Sequence, residues 1–276
     1  MTVMIEVKHL FYELDFLLID LLKSLEPSDW EKPTSAKLWN VKDVASHLLD
    51  TNLRTLSIQR DGYFGEKPPQ FKEYKDLISW LNQLNADWVN ASKRLSPDVL
   101  IGLLESSGKE VSDYYVSLPE MEEAIFSVAW AGEEKSLNWM HLAREYTEKW
   151  HHQQQIRDAV GKPSLLQARY FEPLMDTFMM ALPFTFAKEN AIDSTVIEVK
   201  IVGEFSKSWW LEKNQDLWKL IKQGSNPPTS IVQLEDKIAW KLFCKNLRPQ
   251  DILHKIEISG DLKLGKRVLE MVSVMA

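Results

Sequence analysis

The sequence predicts a helical N-terminal region, an up-and-down four-helix-type bundle over residues 1–190, followed by a small α+β domain over residues 191–276. Two observations carry this. Apolar residues recur at spacings of three and four up to about residue 190, then alternate with a period of two from about residue 192. Charge changes sign at the same place: residues 1–191 carry −9 and residues 192–276 carry +2.

Each element has its own signal. Val7, Leu10, Phe11, Leu14, Leu17, Leu18, Leu21, Leu22 and Leu25 make one face of a first helix, which Pro27 and Ser28 end. A second helix starts at Asn40, a good N-cap with Asp43 three residues on, and runs through Val44, Leu48, Leu49 and Leu56 until Gly62. A third spans about Tyr74–Arg94, and a shorter one follows Pro97. A long helix covers about Leu137–Val160 and stops at Gly161, Lys162 and Pro163. Another runs over about Leu165–Met180. The β-branched run Ser194–Val202 is the first strand, with Ser208–Leu211 and Leu217–Leu220 next. A turn at Gly224–Pro228 leads to the strand Ser230–Leu234, and Ile256–Ile258 closes at Gly260. Lys237–Cys244 and Leu262–Met271 have helical patterns.

Composition excludes several classes. With 45% hydrophobic and 26% charged residues, the chain is an ordinary soluble globular protein. Its one cysteine, Cys244, rules out an intrachain disulfide and a Cys-based zinc cage and fits a reducing cytoplasm. Lying in an apolar helical stretch, it is expected to be a buried structural thiol. The acidic first 191 residues repel phosphate backbones, so nucleic acid is not an expected partner. No stretch reaches the ~18 apolar residues of a membrane span. Leu14–Leu22 is broken by Asp15 and Asp20 and has no basic flank, so it is not a signal peptide. Gly260–Arg267 imitates a phosphate-binding loop, but Arg267 stands where a hydroxyl must hold Mg²⁺.

The chemistry is expected on two helices. Along the long helix a polar stripe of His141, Glu145, Glu148 and His152 borders the apolar arc of Trp139, Leu142, Ala143, Tyr146 and Trp150. Glu148 and His152 are four residues apart, so both side chains can reach one metal ion. His47, on the face of the second helix that carries Val44, Thr51 and Ile58, is the candidate third ligand. His151 lies about 100° further round than His152 and is expected to face outward. His9 and His254 are expected at the surface.

These residues resemble a known family. Trp39–Leu48, containing His47, is similar to the "W-x-v-x-d-v-x-x-H-l" segment of DinB-like helical bundles. Glu148–Arg157 resembles the "E-x-W-x-H-x-x-D-I-R" segment of their mycothiol-dependent maleylpyruvate isomerase branch. The pattern of Ser194–Ala276, with Ile256–Asp261, is similar to that branch's sterol-carrier-like C-terminal domain. The resemblance implies a divalent metal, usually zinc, with nickel or another ion as an alternative, on His47, Glu148 and His152. It also implies a low-molecular-weight thiol, activated for addition to a small electrophile. Arg54, near the His47 face, and Arg248, at roughly the slot of an Arg in the family's C-terminal domain, are the candidate substrate-binding cations. Gln155 departs from the branch, which has Asp there. A thiol S-transferase using the same site and a non-catalytic metal- and ligand-binding protein are the alternatives, and a homodimer is the candidate assembly.

Overall fold

The computed structural model describes residues 4–65, 69–70, 73–223 and 226–273. The chain divides into two units, one from residues 6–125 and 145–164, the other from residues 126–144 and 165–273 with the first residues of the chain. This differs from a division at 190/191. The helices after Leu165 belong with the sheet: Phe186 meets Trp218 edge-on at 5.1 Å, and Trp209 Nε1 donates to Asp176 at 2.7 Å. A 3.6-residue period reports the type of element, not which core its apolar face joins.

The helical unit contains α1 (Phe11–Lys23), α2 (Val41–Arg54), α3 (Tyr74–Ser92), α4 (Pro97–Ser117) and most of α5 (Asn138–Val160). Helix α2 runs on as a π-helix over Thr55–Arg60. Successive helices alternate in direction. Tyr12 meets Asp113 while Lys23 meets Glu105, so α1 and α4 are antiparallel. Ser46 meets Ser92 while Arg54 meets Asn85, so α2 and α3 are too. Leu18 and Leu22 of α1, Val44 and Leu48 of α2, Leu104 of α4 and Ile156 of α5 share one core, and α3 flanks α2. The Asn40 N-cap forms as expected: its side chain accepts from Asp43 N, and Asp43 accepts from Asn40 N.

The helix after Pro97 is long, not short, at 21 residues. Gly102, Ser106, Ser107 and Gly108 weaken its propensity, but the buried Ser107 and Gly108 serve packing. A Cβ on Gly108 would lie 3.2 Å from the Asp15 carboxyl carbon, and Ser112 Oγ donates to Asp15 at 2.6 Å. Lys149 Nζ donates to Asp15 at 2.8 Å and to Asn52 Oδ1 at 3.0 Å. This interior network ties α5 to α1 and α2 at the residue next to Glu148 and so sets which side chains of α5 turn towards α2.

In the other unit, α6 (Ala168–Met179) and α7 (Leu182–Phe186) precede a five-stranded sheet. Its strands are β1 (Val196–Val202), β2 (Lys207–Asn214), β3 (Leu217–Ile221), β4 (Ser230–Glu235) and β5 (Glu257–Gly260), in the order β3-β2-β1-β4-β5. Neighbours are antiparallel except β1 and β4, which are parallel. Burial alternates along β1, β2 and β4, the mark of a sheet covered on one face. Helices α8 (Asp236–Phe243) and α10 (Leu262–Val268) lie on it, and α9 (Pro249–Ile252) intervenes. The expected turn at Gly224–Pro228 lies partly outside the described residues. Gly265 seats α10, because a Cβ there would come within 2.3 Å of Ile258 Cγ2. Asp261 caps α10 by accepting from Lys263 N and Leu264 N, the donors a phosphate would need. Cys244 is buried. Among the described residues, no helix is long and apolar enough to cross a membrane.

Candidate metal centre

The helical unit brings α2 and α5 together, antiparallel. The His47 and His152 rings lie 4.7 Å apart edge-to-face, and both are buried. His152 Nδ1 lies 3.0 Å from Gln155 Oε1. An amide oxygen only accepts, so Nδ1 carries a proton, and in the neutral imidazole Nε2 then holds the lone pair. That Nε2 lies 3.6 Å from Glu148 Oε2. Two acceptors facing each other at this distance repel unless a proton or a cation lies between them. His47 Nδ1 is buried with no hydrogen-bond partner. Donors about 2 Å from one zinc ion lie roughly 3–4 Å apart, so the Glu148–His152 spacing suits a metal. The residues therefore fit a divalent ion.

His151 is not where spacing placed it. It is buried, its ring centroid is 3.9 Å from that of His152, and Nδ1 bonds the Thr147 carbonyl at 2.9 Å. The correction is geometric. Measured from His152 it is 100° away, but measured from Glu148 the two imidazoles fall about 60° to one side and about 40° to the other. Ligand atoms of Glu148, His151 and His152 all lie within 4.8 Å of one another. The rest of the stripe goes elsewhere. Glu145 accepts from Tyr115 at 3.0 Å, and His141 belongs to the other unit, where it bonds Arg144 at 2.6 Å.

Burial, reinforced by the charges of His152, Arg54 and His151, holds the His47 pKa well below 6.5. Burial and then His152 push His151 down to about 4. Neutral imidazoles are the form that binds metal.

Trp39 was missed as a site residue. Its ring lies 4.8 Å from that of His47 and 6.4 Å from that of His152, forming a wall beside both. Its place at the head of the segment that contains His47 was the available signal. Ile156 and Arg157, at the other end of the second segment, are structural: Ile156 is in the core, and Arg157 donates to the carbonyls of Pro163 and Leu17.

Arg54 lies on α2 two turns beyond His47. It pairs with Asp50 at 3.0 Å and donates to Asn85 at 3.1 Å, and its Nε has no partner. Burial raises the Asp50 pKa and Arg54 opposes the rise. Arg248 belongs to the sheet unit, where it is exposed and paired with Asp251 at 2.9 Å, which raises its pKa. His9 and His254 are exposed, as expected.

The sequence model of the mycothiol maleylpyruvate isomerase N-terminal domain matches residues 15–157, just over half of the chain. The chain belongs to this family. The match contains His47, Glu148 and His152, and ends on Arg157. The crystal structure of a mycothiol-dependent maleylpyruvate isomerase aligns over 92% of both chains with a TM-score of 0.55 and 11% identity. A point mutant of such an isomerase aligns over the same shares with a TM-score of 0.55 and 10% identity. At these identities the likeness establishes the fold of this family member. No curated protein sequence matches the chain.

Proposed function

We propose that this family member is a metal-dependent enzyme that activates a low-molecular-weight thiol for addition to a small anionic electrophile, as in maleylpyruvate isomerisation. The observation that carries the reading is geometric: the buried His47 and His152 rings lie 4.7 Å apart, His152 Nε2 lies 3.6 Å from Glu148 Oε2, and the buried His47 Nδ1 has no hydrogen-bond partner. Two imidazoles and a carboxylate suit zinc, with nickel or another borderline ion also fitting. When bound, the metal supplies a thiolate at neutral pH by lowering the pKa of a coordinated thiol.

The protein's own residues do the rest. Gln155 fixes the His152 tautomer so that Nε2 faces Glu148. Trp39 shields the His47 and His152 rings on one side. Arg54 is the cation proposed to meet a substrate carboxylate, with its partnerless Nε as donor. No protein thiol is required, in keeping with a Cys244 that is buried in the other unit. Thiol chemistry and a free cysteine fit a reducing cytoplasm.

The test is elemental analysis of the purified protein, followed by a panel of small thiols with an anionic cis-unsaturated electrophile. Turnover that needs both metal and thiol is the expected result. Stoichiometric metal without thiol-dependent turnover would leave a non-catalytic binding protein, and co-purified lipid would point to its sterol-carrier-like part.

A further inference from the structure

We propose that Asp50 and Asn85 are positioning residues for substrate recognition: they hold the Arg54 guanidinium through Nη2 alone and so reserve Nε and Nη1 for one carboxylate of the electrophile. This rests on the reading above. It makes the electrophile an unsaturated acid recognised at one carboxylate.

The three residues of α2 involved share a face, with His47, Asp50 and Arg54 within about 60° of one another. Arg54 lies about 10 Å along the axis from His47, and its charge helps to hold the His47 pKa down. Its Nη2 lies 3.0 Å from Asp50 Oδ2 and donates to Asn85 Oδ1 at 3.1 Å. Neither contact uses Nε or Nη1, and Nε has no partner. The Arg54 side chain is 32% exposed, so a ligand can meet it, whereas that of Asp50 is 9% exposed and closed off.

Stability explains this arrangement poorly. A buried carboxylate has a desolvation cost that one ion pair offsets only in part, and an apolar pair of similar size would serve the fold as well. What the contacts do supply is orientation. Asp50 and Asn85 lie on different helices, and α3 is itself fastened to α2: Trp88 Nε1 donates to the Ser46 carbonyl at 2.9 Å, and Ser92 meets Ser46. A guanidinium fixed in this way loses less freedom on meeting a carboxylate than one that swings. Asp50 also repels an incoming anion by its charge. The two effects have opposite signs, so they can be told apart.

Maleate, a small cis-unsaturated dicarboxylate, is the probe, and the neutral diamide of maleic acid is the control. Calorimetry measures both on the full, metal-loaded chain as wild type, Arg54→Ala, Asp50→Ala, Asp50→Asn and Asn85→Ala. Circular dichroism and elemental analysis accompany each. The expected result is that the wild type binds maleate and not the diamide, and that Arg54→Ala binds maleate about tenfold more weakly or worse. Asp50→Ala and Asn85→Ala should each weaken it roughly threefold to tenfold. Asp50→Asn keeps an oxygen acceptor and loses the repelling charge, so it should bind at least as tightly as the wild type. Metal content and affinity for 2-mercaptoethanol should be unchanged in all four variants, which a general loosening of the bundle would not allow.

Maleate bound by folded Asp50→Ala as tightly as by the wild type, or more tightly, would show that Asp50 only neutralises Arg54 and would overturn its positioning role. Should Asp50→Ala fail to fold, Asn85→Ala at its half-buried position decides the matter, and wild-type affinity there overturns the proposal. Unchanged affinity in Arg54→Ala would overturn the carboxylate subsite while metal and thiol uptake still supported the reading above. A wild type that takes up neither metal nor thiol would overturn that reading itself.

Discussion

His152 turns Nε2 towards Glu148 Oε2 across 3.6 Å and donates from Nδ1 to Gln155 Oε1 at 3.0 Å, so in the neutral imidazole a lone pair faces the carboxylate. Left alone, this is a repulsive pair of acceptors. A cation between them converts the repulsion into two bonds. Replacing Glu148 by Gln, or His47 or His152 by Ala, is therefore expected to abolish stoichiometric metal with helical content unchanged, as read by elemental analysis and circular dichroism. Full metal content in His47→Ala would remove α2 from the site.

Gln155 holds the His152 tautomer without adding negative charge, whereas a carboxylate would also make the imidazole more basic. Gln155→Asp is expected to tighten metal binding by up to about tenfold, and Gln155→Leu to weaken it roughly 10–100-fold. Competition with a chromophoric chelator measures both. Equal affinity across the three proteins would show that the 3.0 Å contact does not matter to the metal.

The metal-free protein should lose stability in mild acid. His151 has a folded-state pKa of about 4 against 6.5 for the free group. Between those values the unfolded chain binds the proton and the folded chain does not, so stability falls as pH drops from about 6.5 and the loss is complete near pH 4. The shift corresponds to about 3 kcal/mol. His47, lowered by its burial, acts in the same direction. Urea melts at pH 7 and pH 4.5 should show a smaller loss in His151→Gln than in the wild type; an equal loss would mean that His151 does not titrate in this way.

Asp15 is expected to matter to the helical unit from 134 residues away. Asp15→Ala leaves Lys149 Nζ with only Asn52 and removes the acceptor of Ser112. Breaking a partly buried pair by deleting one partner costs on the order of 1–3 kcal/mol, less than for a fully buried one. Because Lys149 sits beside Glu148, metal affinity should fall as well. A thermal melt and a metal titration on the same sample check the two effects. A melt within about 0.5 kcal/mol of wild type would show the network to be decorative.

Much of the fold was legible because it rests on local rules. The Asn40 cap, the stop at Gly161–Pro163 and the alternating strands each depend on a few neighbouring residues. The length of α4 was not legible, because its glycines and serines are poor helix formers when considered alone. Gly108 and Ser112 are needed because Asp15, nearly a hundred residues earlier, lies against them. The unit boundary was hidden for a related reason: an apolar helix face does not name the core it joins.

The sequence by itself determined that Glu148 and His152 share a helix face and that His47 has a ligand-type side chain on another helix, since spacing along one helix is fixed by its 3.6-residue turn. It could not determine what meets across helices. Only the tertiary structure decided that His47 lies against His152, that Trp39 walls both rings, and that His151 turns inward. Those outcomes depend on the rotation of α5 about its own axis, which Lys149 sets through Asp15 and Asn52, residues remote from it in sequence.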